Sequence, residues 1–192
     1  MALTKPAGTW TYDDLFALPD DGTRYEIIEG ELYAMPAPNW DHAATIMNLL
    51  FLLGPVIHSL GGKLATAPLD VFFHGGDPVQ PDIVVILPGS AAIGKGRGVE
   101  GVPDLLIEIL SPSNRGHDLL TKRSLYARAG VREYWIVDPA NRTFEILALD
   151  RDAFHSVQIA AGGEDAISPL LGGAIFPLDR VFAGIDDQTE ER

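Results

Sequence analysis

The chain has 192 residues, 46% of them hydrophobic and none cysteine, and carries a net charge of −13. The length suits one domain with a sizeable core, expected to span 1–192 with its centre at about 12–180. Disulfides and thiolate metal sites are excluded; Met1 to Tyr12 lacks the zones of a signal peptide, and no run of about 18 apolar residues occurs, so a cytoplasmic protein outside the membrane is expected.

Thr11 can cap a short helix, with Asp14 three residues on as capping-box partner. Arg24 to Ile28 and Glu31 to Met35 read as strands of a hairpin around Glu29-Gly30. Asn39 is placed to cap a long helix to about Leu60, because Ala43, Ile46, Leu49, Leu50, Leu53, Ile57 and Leu60 recur at helical spacing. Pro55 predicts a kink or an early stop near Gly54. Short strands follow at Lys63 to Thr66 and Leu69 to Phe73. Ile83 to Leu87 and Leu105 to Leu110 are nearly continuous apolar runs, as in strands buried on both faces of a sheet. Between them, Pro88 to Gly101 reads as a glycine-rich loop. Asp118 to Ala129 reads as a helix closed by Gly130, then Glu133 to Val137 and Thr143 to Leu149 as strands. Strand, helix, strand implies a crossover on a mixed sheet. After about Asp179 the chain turns acidic and is expected to fray.

Two carboxylates fall in unusual places. Asp82 follows Pro81 at the mouth of one apolar strand, and Glu108 sits inside another between Ile107 and Ile109. A buried carboxylate is costly unless it is paired, hydrogen-bonded or bound to a metal. If the two strands are neighbours, the acids can converge on one cation, and oxygen ligands with waters suit Mg²⁺ or Mn²⁺. Taken singly, Asp82 also fits a strand-entry turn and Glu108 a salt bridge to a helix. Lys122 is the candidate third group; Asp118 lies four residues before it, so an exposed Asp118–Lys122 pair is the plainer reading. The stretch from Lys95 to Arg132 holds seven of the 14 Lys and Arg residues against four acids, so it is net +3 and the remainder −16. Such a patch can cradle phosphate or simply be solvated.

The stretches Tyr25-Glu26-Ile27-Ile28-Glu29-Gly30-Glu31-Leu32, Pro81-Asp82-Ile83-Val84-Val85, Pro103 to Ser113 (with Glu108-Ile109-Leu110-Ser111-Pro112-Ser113) and Glu133-Tyr134-Trp135-Ile136-Val137-Asp138-Pro139 resemble the Uma2 family. That is a domain-of-unknown-function family of restriction-endonuclease-like proteins in the PD-(D/E)XK superfamily, and the resemblance covers roughly residues 12 to 150. It implies a mixed α/β class (α+β, a mixed sheet flanked by helices, with the hairpin and long helix at its N-terminal side), Mg²⁺ or Mn²⁺, and phosphodiester hydrolysis on DNA. Asp82 takes the place of the motif's first acid and Glu108 that of its second. The lysine expected two residues after the second acid is replaced by Leu110, and the family's relocated lysine would be Lys122.

Glu31, His42 and Asp118 are candidate supporting residues, with a hairpin surface acid and a capping histidine as the plainer readings of the first two. Tyr126 and Trp135 read as core aromatics and Asp138 as a turn residue. The expected function is a metal-dependent DNA endonuclease with Asp82, Glu108 and Lys122 catalytic and Asp82 and Glu108 as metal ligands. The rival is a catalytically inactive nucleic-acid-binding or regulatory module on the same fold, with a small-phosphoester hydrolase as a third reading. A homodimer suits an enzyme that cuts both strands of a duplex.

Overall fold

The apolar runs and turn signals become a layered structure in the computed structural model, which describes residues 5–6, 8–15, 17–18, 24–28, 30–35, 37–73, 78–96, 98–111 and 117–185. In chain order the elements are α1 (Tyr12–Leu15), β1 (Arg24–Ile28), β2 (Glu31–Met35), α2 (Trp40–Ser59), β3 (Lys63–Thr66), β4 (Asp70–Phe72), β5 (Ile83–Ile86), β6 (Ile93–Lys95), β7 (Gly98–Glu100), β8 (Leu105–Ile109), α3 (His117–Ala129), β9 (Glu133–Asp138), β10 (Thr143–Asp150), β11 (Ala153–Ala161), β12 (Asp165–Ser168), β13 (Ala174–Pro177) and α4 (Leu178–Val181).

A six-stranded sheet in the order β11-β10-β9-β8-β5-β3 is the frame. β8 and β9 run parallel, joined through α3, and the other neighbours are antiparallel. The sheet is therefore mixed, and helices cover both faces. Alternation divides its side chains. Ile83, Val85, Leu105, Ile107, Trp135 and Val137 point to one face, where Leu49, Leu53 and Ile57 of α2, Val181 of α4 and Phe182 just after it complete the core. Val84, Leu106 and Tyr134 point to the other, beneath Tyr126 and Ala127 of α3, Ile28 of the hairpin, and Val71 and Val99 of a three-stranded sheet β4-β7-β6.

Asn39 caps α2 as its position predicts, its Oδ1 accepting from the His42 N–H at 3.0 Å. The early stop near Gly54 does not occur, because α2 continues through Pro55 to Ser59. The carbonyl that Pro55 leaves without a donor belongs to exposed Phe51, where water can satisfy it. Three further expectations are corrected. The segment 88–101 is not all loop, since β6 and β7 lie in it and β7 pairs in parallel with distant β4. By length and composition α2 is apolar enough to cross a membrane. The chain stays ordered past Asp179, with Val181, Phe182 and Ile185 buried; residues 186–192 lie outside the described residues.

Candidate active site

β5 and β8 are adjacent and antiparallel, with Val84 opposite Leu106. Continued by two residues, that register sets Asp82 level with Glu108, both on the face that α3 covers. Side chains so opposed start about 5 Å apart at Cβ. Asp82 is held from two sides: its Oδ2 accepts the Ile109 backbone N–H at 2.7 Å and lies 3.3 Å from His42 Nε2. Its own carbonyl accepts from Ala67 N and Thr66 Oγ1, which pins the strand entry to β3.

Lys122 is not a solvated lysine on the outer surface of its helix. It points inward from α3, only 1% exposed. Its Nζ stands 3.0 Å from Glu26 Oε2 and 3.3 Å from Glu108 Oε1, so one ammonium sits between two buried carboxylates. Tyr126, four residues on along the same helix face, donates its hydroxyl to Glu108 Oε1 at 2.7 Å. Glu26 completes the arrangement from β1, its Oε1 accepting the Gln80 backbone N–H at 2.9 Å. Five elements thus converge: β1, the start of α2, the entry to β5, β8 and α3.

Three carboxylates face one ammonium here. Burial is the main reason that the Glu108 carboxyl is pushed up to about 8; Lys122 works against that shift, while the charges of Asp82 and Glu26 reinforce it. The Tyr126 hydroxyl is raised well above its usual range, by burial first and then by Glu108 and Glu26. The excess of negative charge is of the kind a divalent cation relieves. Among the described residues no three His, Asp or Glu side chains form a ready-made cage. Mg²⁺ does not require one, because it keeps several waters and is held by one or two carboxylates. The Asp82 Oδ1 accepts no hydrogen bond from the described residues, so Asp82 and Glu108 offer hard oxygen donors that fit Mg²⁺ or Mn²⁺.

The structure brings Asp82, Glu108, Lys122 and His42 together. Glu31 stands across the hairpin from Ile28, roughly one same-face step of 7 Å from Glu26, and no hydrogen bond or ion pair among the described residues ties it to the acids. Asp118 lies in the first turn of α3, but its side chain falls outside the described residues. Trp135 is a core aromatic, and Asp138 accepts from Ala140 N and Asn141 N as a turn residue does. Glu26 was missed, although the argument that singles out Glu108 applies to it: an acid within an apolar strand, on the face of Ile28. Buried Glu133 accepts from Trp135 Nε1, Ser168 Oγ and Leu170 N, so its hydrogen bonds tie β9 to the β12–β13 hairpin rather than to this cluster.

A mixed sheet with two strand-borne acids and a helix-borne lysine is the core expected of a restriction-endonuclease-like protein. The Uma2 model, described as "Putative restriction endonuclease", matches residues 12–179, and the chain belongs to that family. A solved structure described as a putative nuclease belonging to DUF820 from Anabaena variabilis ATCC 29413 superposes with a TM-score of 0.69 at 22% identity, covering 90% of this chain and 97% of its own. That likeness establishes the shared fold. No curated protein matches.

Proposed function

We propose that the chain is an endonuclease that hydrolyses DNA phosphodiesters with Mg²⁺ or Mn²⁺ held by Asp82 and Glu108. The observation that carries this reading is the pairing of those acids across β5 and β8, on one face, with a buried ammonium beside them. The family description and the nuclease fold support the reaction class. A bound divalent ion would polarise the scissile phosphate and favour attack by water. Lys122 lies between Glu26 and Glu108 and stabilises negative charge that builds on phosphate oxygens. His42 and the Ile109 N–H fix Asp82 Oδ2, which leaves Oδ1 as the ligand atom. Tyr126 holds Glu108 Oε1. The stretch from Lys95 to Arg132 is net +3, and Lys95, Arg128 and Arg132 in it are solvent-facing cations for the DNA backbone.

The test is cleavage of plasmid, single-stranded DNA and RNA with Mg²⁺ or Mn²⁺ by the wild type, Asp82→Asn and Glu108→Gln. Wild-type rates from either variant would sink the assignment. One observation favours the second reading, a non-catalytic nucleic-acid-binding or regulatory module: Lys122 is sealed from solvent and already committed to two carboxylates. In that case the buried ions only hold β1, β8 and α3 together. A wild type that binds DNA but cuts none of the three substrates would support the module.

A further inference from the structure

The helix α2 has a second face that meets the rest of the fold, among the described residues, through a 3.4 Å hydrogen bond from Trp40 Nε1 to the Gly184 carbonyl. Its buried residues, Thr45, Leu49, Leu53 and Ile57, lie against the sheet. On the opposite side Trp40, Ala43, Met47 and Phe51 form an exposed stripe at spacings of three and four, continued by half-buried Gly54. Trp40 is 76%, Met47 52% and Phe51 72% exposed. Asp41 is the only Asp, Glu, Lys or Arg between Trp40 and Ser59, in a chain that is 21% charged. A solvated helix face is normally where charges collect.

Gly54 leaves a notch in the stripe. Pro55 calls for a small residue before it, because the proline ring crowds the Cβ of a helical predecessor. Outside its own helix a Cβ built at Gly54 would meet nothing within 4 Å of the described residues, so the notch is open to a large side chain arriving from outside.

We propose that α2 is a homodimer interface, packed antiparallel against α2 of a second copy about a two-fold axis at Met47. In that arrangement residues whose numbers sum to 94 face each other. Trp40 then meets Gly54 of the second copy, Phe51 meets Ala43, and Met47 meets itself. Trp40 and Phe51 each land on a small residue, and the flexible Met47 side chains meet at the axis, as close helix packing requires. The charge pattern agrees. Two copies of a −13 chain repel, and this stripe lets them touch without opposing like charges, while antiparallel helix dipoles attract. The area is adequate. Trp40 and Phe51 leave roughly 300 Å² bare, and with Met47 and Ala43 the stripe reaches on the order of 500 Å² per copy. Both copies together reach the ~1,000 Å² at which specific association begins. The inference stands apart from the nuclease reading but has a consequence for it. His42 of each copy sits level with residue 52 of the other, so the two His42–Asp82 contacts lie about 15 Å apart along the helix axis.

Sedimentation equilibrium on the full chain tests this with a steric swap at two exposed positions. The wild type is expected to be a dimer. Ala43→Phe places a phenyl against Phe51 of the second copy and should give a monomer with an unchanged circular dichroism spectrum. Adding Phe51→Ala should restore the dimer. A monomeric wild type would overturn the proposal, as would a dimer indifferent to Ala43→Phe or a double variant that stays monomeric. A wild type that is monomeric but floats with phosphatidylcholine vesicles would assign the stripe to a membrane surface instead and also overturn it. Because Glu108→Gln leaves the stripe intact, it should remain dimeric even where cleavage is lost.

Discussion

Replacing Glu108 by glutamine should make the metal-free protein more stable while abolishing cleavage. In the fold this carboxyl is pushed up from its ordinary 4.5 to about 8, chiefly by burial. Between those values the folded state holds a proton that the unfolded chain releases, so stability falls as pH rises through that window and is level on either side. At pH 7 the gap spans about 2.5 pH units, or roughly 3 kcal/mol at 1.36 kcal/mol per unit. Glutamine has nearly the same shape, still accepts from the Tyr126 hydroxyl, and carries no charge to desolvate. Lys122 retains Glu26 at 3.0 Å. In EDTA at pH 7 the variant should therefore gain up to about 3 kcal/mol, roughly 6–12 °C in Tm for a chain of this size. The advantage should vanish below pH 4.5 and be fully developed above about 8. Thermal and urea unfolding across that range measure it. A variant less stable than wild type in EDTA at pH 8 would refute the reasoning, because it would mean that Glu108 is a net stabilising ion rather than a strained ligand.

Lys122→Met should cost about 3–5 kcal/mol, since it leaves Glu26 and Glu108 buried without their cation; urea unfolding measures this, and adding Glu26→Gln should recover part of the loss. Tyr126→Phe should cost about 1–3 kcal/mol by leaving Glu108 Oε1 short of a donor, and should shift the pH window of Glu108 upward, read from the pH dependence of unfolding. His42→Ala should leave the fold intact but weaken Mn²⁺ affinity about 10–100-fold, because it removes one of the two contacts that orient Asp82; titration calorimetry would show it.

Much of the frame is legible in local pattern. The apolar runs at 83–87 and 105–110 read as sheet-interior strands, and Asn39 followed by apolar residues at helical spacing sets the start of α2. Asp82 and Glu108 stand out because an acid in such a run needs a reason. Glu26 escapes because its partner Lys122 lies far along the chain and the pairing exists only once α3 folds over β1. Lys122 itself reads locally as an i,i+4 partner of Asp118; the need for a third group beside the two acids, and then the family resemblance, are what point it inward. β6 and β7 are hidden for a related reason: glycine-rich segments carry little strand signal, and β7 is held by parallel pairing with β4. The fraying expected after about Asp179 was read from composition, and it fails through residue 185 because the core buries Val181, Phe182 and Ile185.

Calorimetric titration of Mn²⁺ into the wild type, Asp82→Asn and Glu108→Gln proteins tests the shared cation most directly. One ion should bind per chain in the wild type and none in either variant, with affinity falling about tenfold per pH unit below 8 as the ion displaces the Glu108 proton. Binding that survives Glu108→Gln unchanged, or no binding at pH 8, would contradict the account.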